Sequence, residues 1–317
     1  MDARTVTVFG GSGFIGRHLV RRLAQRGWRV RVAVRRPDSA LFLKPMGDVG
    51  QITPVQANLR DEASVQAAVA GAEAVVNLVG ILYEFGKQRF DAVHHDGARR
   101  VAAAARAAGA SRFVQMSALG ADLQSPATYA RTKALGEQAV ARAFPGATII
   151  RPSVVFGPED GFFNRFAAMA MVSPLLPVIG RPPHGPRFQP VFVGDVAEAI
   201  ARAIEDPATA GKTYELGGPQ VYTLAEILHL VLKWTGRRRL VAWLPMSIVK
   251  LQAAVLEWLP VPPLTRDQVK LLQVDNVVSG AKPGFNELGI QPAGAEVVVP
   301  GYLGRFRRGG RRPVKPA

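Results

Sequence analysis

The chain has 317 residues, 48% hydrophobic and 20% charged, which suits a globular protein with a sizeable core and excludes disorder over most of its length. It contains no cysteine, so a disulfide scaffold, a thiolate metal site and a cysteine nucleophile are all excluded. Lys and Arg number 40 against 24 Asp and Glu, a formal net charge of +16; a balance that basic speaks of anionic partners, whether nucleic acid, membrane surface, acidic protein or phosphorylated cofactor, and not of fold.

Thr5–Phe9 is short, β-branched and apolar and ends at a glycine cluster, as a buried parallel strand does. Phe14–Gln25 has helical periodicity up to Gly27, and Arg29–Val34 alternates as a second strand. Strand, helix and strand in this span make a βαβ unit. Between the first strand and the helix, Gly10–Gly16 reads GGSGFIG. Such a turn frees the chain to leave the strand tightly, brings bare backbone against a pyrophosphate and lets the helix pack close to the sheet, with the helix N–H groups facing the anion. A dinucleotide site is the expectation.

The second strand runs into Val34-Arg35-Arg36-Pro37, with no acid before Asp38. An Asp or Glu there would grip the ribose 2′-hydroxyl of NAD. Two guanidinium groups suit a 2′-phosphate instead, which favours NADP(H). The competing reading is a solvated basic face continuous with Arg17, Arg21, Arg22, Arg26, Arg29 and Arg31.

The alternation continues with a strand at Val55–Ala57, a helix at Asp61–Ala70, a strand at Ala74–Val79 and an alanine-rich helix at Phe90–Ala108. A fifth strand at Arg112–Ser117, a helix at Tyr129–Arg142 and a sixth strand at Ala147–Ile150 complete it. The pattern predicts an α/β fold, a doubly wound parallel Rossmann sheet with a smaller, mostly helical C-terminal lobe. The nucleotide-binding domain is expected over 1–150, the lobe, interleaved with it, over 151–300, and a basic flexible tail over 301–317. Helices are expected at Val196–Ile204, Leu224–Trp234 and Met246–Leu259. The last of these reads either as a core helix or as an interfacial one with tryptophans at headgroup depth.

Tyr129 and Lys133 stand four residues apart, on one face of the helix that follows the fifth strand. A lysine so placed can hold a nicotinamide ribose and lower the tyrosine pKa, making the phenol a proton donor or acceptor. A structural tyrosine beside a solvated lysine is the plainer alternative. His94, His95 and Asp96 lie at a helix start, where adjacent side chains diverge, so capping or packing is expected and no metal site. Glu159–Asp160 reads as loop. No nucleic-acid module and no interleaving of aromatic with basic residues is present, which argues against nucleic acid.

With these motifs, the chain resembles the short-chain dehydrogenase/reductase superfamily in its extended or atypical branch. The resemblance is carried by Gly10–Gly16 (GGSGFIG), Tyr129–Lys133 (YARTK), Arg151–Pro158 (RPSVVFGP) and Gln189–Val196 (QPVFVGDV). Through Arg35–Pro37 (RRP), Asn77–Gly80 (NLVG), His94–Ala98 (HHDGA), Ser117–Gly120 (SALG) and Tyr129–Glu137 (YARTKALGE), it is similar, more narrowly, to the nucleotide-binding alpha-subcomplex accessory subunits of respiratory complex I, in a bacterial version. The resemblance implies that Gly10, Gly13, Phe14, Ile15 and Gly16 line the pyrophosphate and that Arg35 and Arg36 meet the 2′-phosphate. It places Asn58 and Leu59 at the adenine, Val79 and Gly80 at the ribose side, Tyr129 and Lys133 at the nicotinamide ribose, and Pro152 to Val155 at the nicotinamide. Ser117 takes the place of the serine that polarises a substrate carbonyl in catalytic members. Only 12 residues separate it from Tyr129 by numbering, and so short a loop favours a cofactor bound but seldom turned over.

Two functions follow from the resemblance. The first is an NADP(H)-binding accessory or assembly subunit of complex I with a mainly structural cofactor, its partners being other complex I subunits and an anionic membrane surface. It would sit peripherally on the cytoplasmic side of the inner (plasma) membrane. The alternative is a soluble NADPH-dependent reductase or epimerase acting on a small carbonyl or hydroxyl substrate, with Tyr129 as proton donor, Lys133 as ribose anchor and Ser117 as carbonyl polariser. No transmembrane segment is expected, because the apolar stretch Phe166–Gly180 has 15 residues and is broken by Pro174 and Pro177, short of the ~20 a span requires. No signal peptide is expected either, since Met1, Asp2 and Arg4 lead straight into the first strand.

Overall fold

The structure, a computed structural model, describes residues 4–179, 185–259 and 261–310. Strand β1 (Thr5–Phe9) leads to helix α1 (Phe14–Gln25), strand β2 (Arg29–Val34), a 3-10 segment (Pro37–Met46) and strand β3 (Ile52–Gln56). There follow α2 (Glu62–Val69), β4 (Ala74–Asn77), α3 (Asp96–Ala107), β5 (Arg112–Met116), α4 (Thr128–Ala143) and β6 (Thr148–Pro152). Beyond β6 come β7 (Val155–Phe156), α5 (Phe163–Val172), β8 (Leu175–Ile179), β9 (Arg187–Phe188), β10 (Val191–Phe192), α6 (Val193–Glu205) and β11 (Thr213–Leu216). The chain ends with β12 (Tyr222–Thr223), α7 (Leu224–Thr235), β13 (Leu240–Leu244), α8 (Met246–Leu256), α9 (Arg266–Leu271) and α10 (Ala295–Leu303).

The central sheet has seven strands in the order β11-β6-β5-β4-β1-β2-β3, and the registers from β3 through to β6 are parallel. This is the doubly wound arrangement expected from the βα alternation. After β3 the chain returns to the far side of β1, so winding reverses between β1 and β4. In sheets of this kind such a reversal leaves a crevice beyond the carboxyl ends of the strands, where ligands bind.

Two compact units divide the chain. The first comprises Met1–Arg151 with Val196–Glu215 and Ala281–Ile290; the second comprises Pro152–Asp195, Leu216–Gly280 and Gln291–Ala317. In the first, a core including Phe9, Val65, Val75, Val101, Phe113 and Val140 fills the space between sheet and helices. Ala98, Ala102 and Ala105 form the inner stripe of α3, and their small side chains let that helix lie close to the sheet. Helix α6 is tied to α1 by a cluster of ion pairs: Arg22 and Arg26 each reach Glu198 at 2.6 Å, and Arg26 reaches Glu205 at 2.5 Å. In the second unit Phe156, Phe163, Leu176, Leu228 and Trp234 are among the buried core.

Three elements differ from expectation for identifiable reasons. Strand β3 begins at Ile52 and contains Pro54, a residue tolerated because β3 lies at the sheet edge. The alanine-rich helix opens with a π-helical turn, Asp91–His95, before α3. At this turn α4 comes within backbone contact: a Cβ built on Gly136 would overlap the His94 carbonyl oxygen and lie 3.0 Å from its carbon. In the second unit, part of the expected basic tail is ordered. Gly301–Leu303 belongs to α10 and Gly304–Phe306 forms a 3-10 turn, with the Tyr302 hydroxyl donating to Asp160 at 2.5 Å and Arg305 to Asn164 Oδ1 at 2.8 Å. The remainder of that tail, 311–317, lies outside the described residues. Asp160 also accepts from the amides of Gly157, Phe162 and Asn164, so its carboxylate closes the loop in which it sits.

Gly136→Ala is expected to destabilise the chain by about 1–3 kcal/mol, since neither backbone can withdraw without disturbing a packed helix. Gly301→Ala, where an added Cβ would meet nothing within 4 Å, serves as the neutral control. Chemical denaturation of the two variants distinguishes a required close approach from a general intolerance of alanine.

Candidate functional site

The glycine turn is built around close backbone approach. Gly10 has φ +77 and donates its N–H to the Ala33 carbonyl at 3.1 Å, while its own carbonyl accepts from Gly13 N–H at 3.0 Å. A Cβ on Gly16 would collide with the Gly10 carbonyl oxygen and lie 2.6 Å from the Gly11 Cα. Helix α1 is therefore pressed directly onto the turn. Gly13 is its N-cap with no side-chain cap, and no acid occupies its first turn. Phe14 and Ile15, the first residues of α1, are half-buried. An uncapped, acid-free helix end of this kind offers N–H groups and positive dipole to an anion.

The other expected nucleotide contacts fall at the ends of neighbouring strands of this unit. Arg35 and Arg36 follow β2 and are exposed. Of their arginine neighbours, Arg22 and Arg26 are engaged in the ion pairs with α6, Arg31 on the carbonyls of Ala68 and Ala70, and Arg17 over the Phe42 ring at 5.1 Å, while Arg21 and Arg29 are exposed. Asn58 and Leu59 follow β3. Asn58 Oδ1 accepts from Arg60 N–H, and Leu59 is buried beside α3. Val79 and Gly80 follow β4, with a Cβ on Gly10 lying 3.3 Å from Val79 Cγ2. Pro152 closes β6 and Val155 opens β7, both in the second unit.

Around Gly80 the structure gathers Lys133, His94 and Tyr129. A Cβ on Gly80 would lie 3.3 Å from Lys133 Nζ and 3.7 Å from His94 Nε2. Lys133 is buried, and its ammonium donates to the Met116 carbonyl at 3.3 Å. Burial lowers its pKa to about 8, with Glu137 pulling the other way. Lys133 Nζ is 5.8 Å from the Tyr129 ring centre. The Tyr129 phenol is pushed up to about 12 by burial. At neutral pH this phenol carries its proton and can donate it. Ser117, one residue past β5, is 4% exposed, and its Oγ is buried without a hydrogen-bond partner. A hydroxyl in that condition is costly unless something completes it, as a bound molecule would.

Three supports of this site escaped the sequence reading. His94 is 2% exposed, stacked on Phe90 and set edge-on to Tyr129 at 5.2 Å. Its Nε2 accepts from the Ile81 N–H at 3.1 Å, and its Nδ1 is 3.1 Å from Thr132 Oγ1, which itself donates to the Tyr129 carbonyl. With the threonine proton so used, Nδ1 carries the imidazole proton and the ring is neutral. Burial and the Lys133 charge lower its pKa to about 2. The second support is Asn77, which donates to Gln115 Oε1 at 3.0 Å and accepts from Val79 N–H at 3.2 Å. The third, Gln115, donates to the Met116 carbonyl that also receives Lys133. A buried polar residue near the end of each of these two strands was the available signal. Among the described residues no group of three or more His, Cys, Asp or Glu could hold a metal ion.

Residues 6–217 match the model of the NAD dependent epimerase/dehydratase family. The chain belongs to this family. A curated member-like relative, the mitochondrial NADH dehydrogenase [ubiquinone] 1 alpha subcomplex subunit 9 of Arabidopsis thaliana, is 39% identical over 96% of this chain and 78% of its own length. The ceramide reductase of Caulobacter vibrioides is 38% identical over 65% of this chain and 63% of its own. Among solved structures, the NADPH-dependent quinone oxidoreductase QOR2 of Escherichia coli, complexed with NADPH, has a TM-score of 0.71 at 23% identity, covering 92% of this chain and 97% of that one, which establishes a shared fold. As an epimerase/dehydratase-family chain it thus has a nucleotide-binding fold.

The neutral His94 carries a pH signature. Its folded pKa lies below the unfolded value of about 6.5, so the unfolded chain binds the extra proton first. Stability is complete above pH 6.5 and declines as pH falls toward the folded value. Between pH 6.5 and 5 this histidine should contribute a loss of about 2 kcal/mol. His94→Gln, which can still accept from Ile81 and donate to Thr132, should remove that slope. Equal slopes in the two proteins, measured by urea denaturation at several pH values, would show that His94 is not held neutral.

Proposed function

We propose that this chain is an NADP(H)-binding accessory or assembly subunit of respiratory complex I, with the dinucleotide serving mainly as a structural ligand. The likeness to the Arabidopsis subunit over nearly the whole chain supports the assignment. Peripheral attachment on the cytoplasmic side of the inner (plasma) membrane is part of this reading, as the Arabidopsis relative is a respiratory-complex subunit. The residues present fit the cofactor. The bare end of α1 would receive the pyrophosphate, Arg35 and Arg36 the 2′-phosphate, Asn58 and Leu59 the adenine side, Val79 and Gly80 the ribose side, and Lys133 with Tyr129 the nicotinamide ribose.

One observation carries the assignment: the 39% identity to the Arabidopsis complex I subunit runs over 96% of this chain. A ligand that binds only the folded chain stabilises it by mass action, by about 2.7 kcal/mol at one hundred times its dissociation constant.

A reductase or epimerase is the second reading, favoured by the partnerless Ser117 Oγ and by the likeness to a ceramide reductase. When bound, NADPH would supply a hydride. Ser117 would donate a hydrogen bond to the substrate carbonyl oxygen, and the protonated Tyr129 would deliver the proton to that oxygen as the hydride reaches carbon.

Calorimetric titration should find NADPH bound more tightly than NADH. Arg35→Ala and Arg36→Ala should each weaken NADPH by about 10- to 100-fold, the worth of one charge-assisted hydrogen bond, and leave NADH unchanged. Equal losses for the two nucleotides would reject the phosphate contact. Tyr129→Phe separates the readings. The accessory role predicts continued co-migration of the variant with complex I on native gels. The reductase reading predicts steady NADPH consumption with a carbonyl substrate, abolished by the same change.

A further inference from the structure

Helix α8 of the second unit is apolar on two sides. Val249 and Ala253 turn inward, packed with Val269 of α9 and the partly buried Leu244, Met246 and Leu264. Ile248, Leu251 and Val255 turn outward at helical spacing, with Leu251 68% and Val255 65% exposed. Just past the helix, Trp258 is 87% exposed, and Leu259 and Val261 are exposed beside it. Scattered exposure does not produce a run of six large apolar residues within fourteen positions (248–261).

The stretch of chain that carries this face is predominantly basic. Residues 237–270 hold six basic residues, Arg237, Arg238, Arg239, Lys250, Arg266 and Lys270, against two acids, Glu257 and Asp267. Glu257 is ion-paired with Arg266. Lys250 lies within α8, and Arg238 and Lys270 are exposed. An outward apolar stripe, a tryptophan at its end and a basic excess in the same stretch of chain are the chemistry of a helix lying in the headgroup region of an anionic bilayer.

We propose that the outward face of α8, continued by Trp258, Leu259 and Val261, seats this chain on an anionic lipid bilayer. The proposal rests on the membrane placement in the reading above and not on its nucleotide.

The test is flotation of the full chain with vesicles. Vesicles of phosphatidylglycerol and phosphatidylethanolamine should carry it upward, and pure phosphatidylcholine should bind at least about ten-fold less, as expected when several basic residues contribute. Tryptophan emission should shift to the blue on anionic vesicles, and Trp258→Ser should remove the shift. The double variant Leu251→Ser, Val255→Ser should lose about ten-fold in bound fraction while keeping the native melting temperature and NADPH affinity. Trp258→Ser provides the reading if that double variant is unstable, and Val297→Ser, on the exposed side of α10, should change nothing. The proposal is overturned if the native chain stays behind with anionic vesicles, if phosphatidylcholine carries it equally, or if both variants float like the native chain. Dimers that the double variant dissolves, without flotation, would assign the face to a second copy and overturn it as well. Loss of flotation alone, with NADPH binding and complex I co-migration intact, removes this inference and leaves the accessory role standing.

Discussion

The first turn of α1 lies against bare backbone. Gly16 touches the main chain of Gly10 and Gly11 with no side chain between, and everything at the crevice is measured from that contact. Any larger residue would lift the helix off the sheet and carry its uncapped N–H groups away from the reversal between β1 and β4. The same contact places Gly10 against Val79 at the end of β4. The pyrophosphate end and the ribose end of the proposed nucleotide are thus set by one piece of backbone geometry.

Charge at the other end of the crevice is handled by burial. Lys133 is a cation in a dry place, steadied by a carbonyl and by Glu137 one turn along α4. That cation helps keep His94 neutral. The neutral ring can then accept from the Ile81 amide, which holds the Gly80 turn where it is. Tyr129 stays protonated in the same surroundings. The buried amides of Asn77 and Gln115 fasten the ends of β4 and β5 to this cluster through the Met116 carbonyl. A ligand would meet a site with little freedom to adjust.

Legibility in the sequence followed the range of the interactions. The glycine turn, the strands that flank it and the Tyr129–Lys133 face depend on residues within one turn or one strand, and a reader of the sequence can find them. The π-helical turn and the role of His94 depend on Thr132 and Gly136, about forty residues away, and no local pattern announces them. The arginines of α1 read as a solvated face, yet Arg22 and Arg26 find Glu198 and Glu205 more than 170 residues along the chain. That capture also explains how Val196–Glu215 joins the first unit, an arrangement invisible to composition or periodicity. Strand β3 reaches back to Ile52, beyond the expected Val55–Ala57, with Pro54 accommodated by an edge position that local sequence does not reveal.

That proline has a bearing on how the molecule behaves in company. An unguarded outer strand offers a ladder of amide donors on which another polypeptide can template itself, the first step toward sheet-wise aggregation. Pro54 sits at the centre of the five residues of β3 and removes a donor from the middle of the ladder. Growth of the sheet past its β3 side is therefore blocked by a missing hydrogen, at no cost to the pairing with β2.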